Sequence, residues 1–204
     1  MTAPKSVKNT SSLNLILLLG VLLSSIAYFP LNRMAQHGHV LTTSLDKHTP
    51  FVPIFVIPYM LFLPAFWLMI GYAFISKRLF VKLAVSAIVM YVCSDIVYIC
   101  FQTLMPRPQL IGHGLPTRLV RLIYSHDRPF NDLPSGHAAA ATLFGLYFLA
   151  IKHRWRVPLA VFSLTVIAAT VYIKQHSVIG ALGGVLLASA SWMGVSYVLG
   201  RREC

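Results

Sequence analysis

Acidic residues are scarce in this chain: five Asp and Glu stand against 17 Lys and Arg in 204 residues. The five are scattered, at Asp46, Asp95, Asp127, Asp132 and Glu203. No Asp/Glu cluster therefore offers the oxygen cage that a hard divalent cation needs. Cysteine is equally sparse. Cys93, Cys100 and Cys204 give neither a metal-ligand spacing nor a disulfide framework. Charged residues of either sign make up only 11% of the chain, whereas a soluble domain carries about a quarter. That deficit excludes an ordinary soluble domain. Internal repeats and low-complexity segments are absent as well. So are the paired, interrupted spans of inverted-repeat transporters, which weakens the reading of a small transporter or channel subunit.

What fills the chain instead is apolar sequence, 57% by composition, gathered into runs of about 20 residues that read as membrane spans. The runs are 13–29, 51–74, 83–101, a shorter one over 138–151 that starts near Ser135, 157–173 and 178–200. They predict an all-α, polytopic membrane helix bundle of about six transmembrane helices, forming a single domain over residues 1–204. Two readings stay open for 13–29, a span or a cleaved signal peptide, since Ser25 and Ala27 are small residues at suitable spacing. Pro53, Pro58 and Pro64 fall in the second run, where they are expected to kink a helix that its neighbours support. Residues 102–136 read as one long polar loop, and loops of that length are functional or disordered.

A net charge of +12 would suggest nucleic acid in a soluble protein. Here basic residues in cytoplasmic loops and at lipid headgroups explain it, and no nucleic-acid partner is expected. Ten of the 17 basic residues fall on one side if the N-terminus is cytoplasmic: Lys5, Lys8, Lys77, Arg78, Lys82, Lys152, Arg154, Arg156, Arg201 and Arg202. Most sit in short loops close to span ends, where the positive-inside rule counts most. Both termini are therefore expected inside.

Three polar clusters fall at span ends on the opposite, outer face: Pro106-Arg107-Pro108, Asp127 through His137, and Lys174-Gln175-His176. Together they have the chemistry of an oxyanion site. Arg107 offers a planar fork of donors that matches phosphate. Ser135 and Gly136 stand where a helix begins, and free N–H groups there favour an anion. His137 and His176 can move protons or attack phosphorus. With no metal expected, charge must be met by cations and amides. Arg118, Arg121 and Arg128 either contact an anionic headgroup or face water. Asp127 and Asp132 are expected to cap turns or pair with arginines. Gly180, Gly184 and Ala188 form a small-residue stripe that suits close helix packing.

These elements resemble the type 2 phosphatidic acid phosphatase superfamily, and within it the bacterial relatives of inositol phosphorylceramide synthase. The resemblance covers about residues 45–184 and includes Pro50-Phe51-Val52-Pro53 with the three clusters. It implies a membrane phosphatase or phosphotransferase that acts on a lipid phosphate, without cofactor or metal, through a phosphohistidine intermediate. His176 would be the nucleophile and His137 the acid. Arg107, Ser135, Gly136 and Lys174 would bind phosphate. In a bacterium the site would lie on the periplasmic side of the inner membrane. The chain departs from the family pattern at Cys100, where a Lys is usual, and at Thr170, where an Arg is usual and Lys174 can substitute. It departs again at Gly180, where the family has the Asp that orients the nucleophilic ring. Asp95, the one carboxylate within an apolar run, is a possible orienting carboxylate or a structural pair. The alternative is a catalytically degenerate member that binds lipid phosphate without turnover.

Overall fold

The computed structural model describes residues 6–200, with side chains from residue 11 onward. Lys5, Arg201, Arg202 and Cys204 lie outside the described residues, as does the Lys8 side chain. The molecule is a helical membrane bundle. Four stretches are long and apolar enough to cross a bilayer: Ser11–Met34, Pro53–Ser76, Phe80–Cys100 and Val178–Gly200. Two shorter apolar helices, Gly136–Ala150 and Arg156–Tyr172, complete the set.

In chain order the elements begin with α1 (Ser6–Ile26), α2 (Tyr28–Met34), the two-residue strand β1 (His39–Val40) and α3 (Ser44–His48). A 3-10 turn (Pro53–Phe55) leads into α4 (Val56–Ser76), followed by α5 (Phe80–Cys100), the strand β2 (Thr103–Leu104) and α6 (Leu115–His126). The last three are α7 (Gly136–Ala150), α8 (Arg156–Tyr172) and α9 (Val178–Gly200). α1 packs on α5. Val21 is fully buried there, and an added Cβ at Gly20 would stand 2.8 Å from Ile88. The first apolar run is thus an integral part of the bundle.

The prolines of the second run are placed where the backbone tolerates them. Pro53 opens the 3-10 turn, and Pro58 lies in the first turn of α4, where an N–H has no intrahelical acceptor. Pro64 alone sits inside the helix. The long polar stretch 102–136 differs from expectation: it contains α6, a strongly amphipathic helix with Pro116 in its first turn.

α7 is the hub, packed against α4, α5, α8 and α9. Its Ala138–Ala141 face is buried, and the small side chains let neighbouring backbones approach, which is what drives helix association in lipid. Gly184 shows how close: a Cβ there would sit 2.4 Å from the Ser135 carbonyl oxygen and 2.9 Å from the Ala139 nitrogen. At the other end of α7, the Tyr147 hydroxyl donates to the Arg78 carbonyl at 3.2 Å. That contact aligns the C-terminal end of α7 with the α4–α5 turn. The basic turns around Lys77–Lys82 and Lys152–Arg156 are at the opposite end from the three polar clusters.

Candidate active site

The second cluster is built around the turn into α7. Asn131 takes a left-handed conformation, φ 61°, which Asn adopts more readily than most residues. Its N–H donates to Gln102 Oε1, and the Leu133 N–H donates to Thr103 Oγ1, so the start of this segment is pinned to β2. Ser135 is the N-cap of α7: its Oγ accepts from the Ala138 N–H at 3.2 Å, a cap that contributes about 1 kcal/mol. The Ser135 N–H donates to the Gly180 carbonyl at 2.8 Å, fastening the turn to α9.

His137 follows in the first turn. Its ring stacks on Tyr59 of α4 with centroids 4.1 Å apart, and the Tyr59 hydroxyl is 3.2 Å from His137 Nδ1. Nδ1 is thereby engaged, leaving Nε2 free to meet a substrate oxygen. Tyr59 lies outside the sequence clusters. An aromatic residue in an apolar run reads as core, and only its partner reveals another role.

His176 precedes α9 and is 3% exposed. Its Nδ1 is 3.0 Å from the backbone carbonyl oxygen of Asp132 and 3.6 Å from Asp132 Oδ1. A ring nitrogen facing a carbonyl must carry the proton and donate it. The lone pair then resides on Nε2. The same carboxylate accepts from the Ser177 N–H at 2.7 Å and from the Ser177 hydroxyl at 2.6 Å. Burial works to raise the Asp132 carboxyl, but the bonds from His176 and Ser177 outweigh it and hold the group below the usual carboxylate range.

Of the two roles expected for Asp132, it takes the capping one, at Ser177 ahead of α9, and it pairs with no arginine among the described residues. It is also the carboxylate beside His176, the place considered for Asp95. Asp95 is half-buried on α5, and no hydrogen bond or ion pair joins it to His176.

Arg107 links the first cluster to the other two. Its Nη1 donates to the carbonyls of Asp127 at 2.7 Å and Tyr124 at 3.3 Å, and Nη2 donates to Gln175 Oε1 at 2.6 Å. Its guanidinium lies over the Tyr124 ring, 4.2 Å from the centroid. Nε is buried without a partner, a donor still unspent. Gln175 in turn donates to Asp127 Oδ2, whose other oxygen accepts from Tyr28. Burial raises the Asp127 carboxyl above its ordinary value and lowers the Arg107 guanidinium from its own.

Lys174 is buried, in a left-handed conformation of φ 53°. Its Nζ donates to the carbonyls of Asp46 and Thr49, each at 2.7 Å. An ammonium has three protons, so one remains for a ligand. Asp46 also bonds forward: its Oδ1 accepts from Val178 N at 2.8 Å, capping α9. Arg107 and Lys174 together border a cleft of about 350 Å³, with Phe51, Met105, Pro106 and Pro108 as its apolar wall. Among the described residues no group of three or more His, Cys, Asp or Glu is gathered to hold a metal.

The residues expected from sequence thus converge on one end of the bundle, apart from Asp95. The arrangement brings two imidazoles with one nitrogen each engaged and a capped helix N-terminus to the same end of the bundle as two cations that border a cleft with an apolar wall. A family model, that of the PAP2 superfamily, matches residues 78–204. The match takes in α5 through α9 and leaves out Asp46, Thr49 and Tyr59. No curated protein and no solved structure matches the chain.

Proposed function

The chain belongs to the PAP2 superfamily, and from that premise we propose that it transfers the phosphoryl group of a lipid phosphate through a phosphohistidine. Membership supports phosphatase or phosphotransferase chemistry on a phosphate ester. The observation that carries the finer reading is the His176 ring, with Nδ1 engaged on Asp132 and Nε2 left free, one residue from the Gln175 that Arg107 grips.

In the reaction, His176 Nε2 attacks phosphorus and the bond from phosphorus to the leaving oxygen breaks. His137 gives that oxygen a proton. Water, or the hydroxyl of a second molecule, then attacks the phosphohistidine and returns a proton to His137 as the P–N bond breaks. The guanidinium of Arg107, the third proton of Lys174, the Ser135 hydroxyl and the Gly136 N–H supply donors for the phosphoryl oxygens. Preorganised donors of this kind account for about 10²–10³ in rate each. Two features support a lipid substrate: the cleft has an apolar wall, and it lies at the end of a membrane bundle. By the positive-inside rule this end is the outer one, which in a bacterium means the periplasmic face of the inner membrane. The kinship to relatives of inositol phosphorylceramide synthase belongs to the same proposal, resting on Lys174-Gln175-His176.

Phosphate release by the purified protein in detergent, measured over a panel of lipid phosphates with and without EDTA, tests the reading. Release is expected from at least one lipid and is expected to survive chelation. Activity abolished by EDTA and restored by Mg²⁺ would overturn the metal-free mechanism. The alternative is a binder without turnover, suggested by Gly180; the carboxylate of Asp132 beside His176 supports the active reading, and release of no phosphate from any lipid of the panel would favour the alternative.

A further inference from the structure

Position 180, where an orienting carboxylate is expected four residues after His176, holds glycine. We propose that Asp132 is the positioning residue for His176, supplied from the loop ahead of α7 and admitted because position 180 has no side chain. The proposal rests on the reading of His176 as the nucleophile.

Asp132 first fixes the proton of the His176 ring. The Asp132 carbonyl oxygen accepts from His176 Nδ1 at 3.0 Å, which turns Nε2 toward the substrate side of the ring. Charge comes second. When Nε2 takes the phosphoryl group the ring becomes positive, and Asp132 Oδ1 stands 3.6 Å from its Nδ1. At that range in a buried site an opposite charge favours the charged ring strongly. Rigidity comes third. Ser177 grips both carboxylate oxygens through its N–H and its hydroxyl, so the anion cannot swing away as the ring reacts.

Space decides between positions 132 and 180. A Cβ at Gly180 would stand 2.3 Å from the Asp132 carbonyl oxygen and 2.7 Å from its Oδ1. Any side chain there collides with both atoms that face the ring. Bare position 180 and occupied position 132 are one arrangement. Asp132 and Asp127 from the loop and His137 from α7 are among the charged and titratable groups near His176.

A purely structural role is the competing account, since the same carboxylate anchors the start of α9. Asp132→Asn separates the two: an amide oxygen still accepts from Ser177, but the charge is gone. The full chain, purified in detergent, is assayed for release of phosphate from phosphatidic acid as a function of pH, with Gly180→Ala and His176→Ala alongside. In Asp132→Asn kcat is expected to fall by about 10²–10⁴ with KM changed far less. Gly180→Ala should reproduce the loss of kcat by pushing Asp132 aside, which covers the case in which Asp132→Asn does not fold. A readout independent of turnover is ¹⁵N-histidine NMR, which reports the nitrogen that carries the proton, the His176 signal being identified by its loss in His176→Ala. It should show the proton on Nδ1 in the wild type and a mixture of tautomers in Gly180→Ala. A monodisperse Asp132→Asn with unchanged kcat, or a Gly180→Ala with unchanged kcat and tautomer, would reduce Asp132 to an anchor and overturn the proposal. Activity retained by His176→Ala would instead overturn the nucleophile assignment, leaving the NMR tautomer to decide on Asp132.

Discussion

The hydroxyl of Tyr59 stands 3.2 Å from His137 Nδ1 while the two rings lie stacked, centroids 4.1 Å apart. A residue on α4 thereby sets both the plane and the free nitrogen of an imidazole on α7. Tyr59→Phe keeps the stack and removes the hydroxyl. If His137 is the acid, kcat should fall by about tenfold, within the range that a misplaced catalytic group costs. Tyr59→Ala, which loses the stack as well, should fall further. Equal rates for wild type and Tyr59→Phe would show that stacking alone holds the ring.

His137→Ala and His176→Ala are each expected to lower turnover by about 10²–10⁴. Arg107→Ala should lower kcat/KM and also loosen the site, because Gln175, Asp127 and Tyr124 all lose a donor. Steady-state phosphate release, read beside thermal melting, distinguishes the catalytic loss from the structural one.

Gly180→Asp would restore the family's usual residue, yet the geometry forecasts harm rather than gain. Its Cβ would overlap the Asp132 carbonyl oxygen at 2.3 Å, and two carboxylates would face one another. A drop of about tenfold or more is expected, and higher activity in this variant would mean that α9 shifts to admit it. Asp95→Asn, by contrast, should turn over close to wild type.

Acid stability offers a separate check on Asp132. A carboxyl held below its ordinary value contributes stability that is fully present above about pH 4 and lost as pH falls through the depressed value. Melting temperature in detergent should therefore drop on the acid side, and less steeply in Asp132→Asn. Asp127, raised by burial, acts in the opposite sense, so the difference between the two proteins is the quantity to compare.

Membrane orientation is tested by labelling single cysteines in a background without the native ones. Val40→Cys and Leu115→Cys, at exposed positions 50% and 69% accessible, should react from outside the cell. Arg154→Cys should stay protected. The reverse pattern would invert the topology.

The spans were legible in the sequence because charge-free runs of bilayer length have few other uses. The recognition residues were legible because Arg107, Ser135, His137 and His176 fall at the ends of those runs. α6 was less so: Arg118, Arg121 and Pro116 gave the stretch the look of a loop. A signal was nevertheless there, with Leu115, Leu119, Leu122 and Ile123 recurring at helical spacing. The partnership of Asp132 with His176 was not legible, since 44 residues separate them and no local pattern encodes the contact. The empty position at Gly180 was its only trace.

Lys174 donates to carbonyls of Asp46 and Thr49, and Asp46 caps α9. Those two residues, like Tyr59, precede residue 78, where the family match starts. The start of the family match therefore separates these supports from the candidate site residues they hold. A chain cut there would keep both histidines and Arg107, but Lys174 would lose two acceptors, α9 its cap and His137 its stacking partner. The front of the chain acts as a brace for the part that the family model matches.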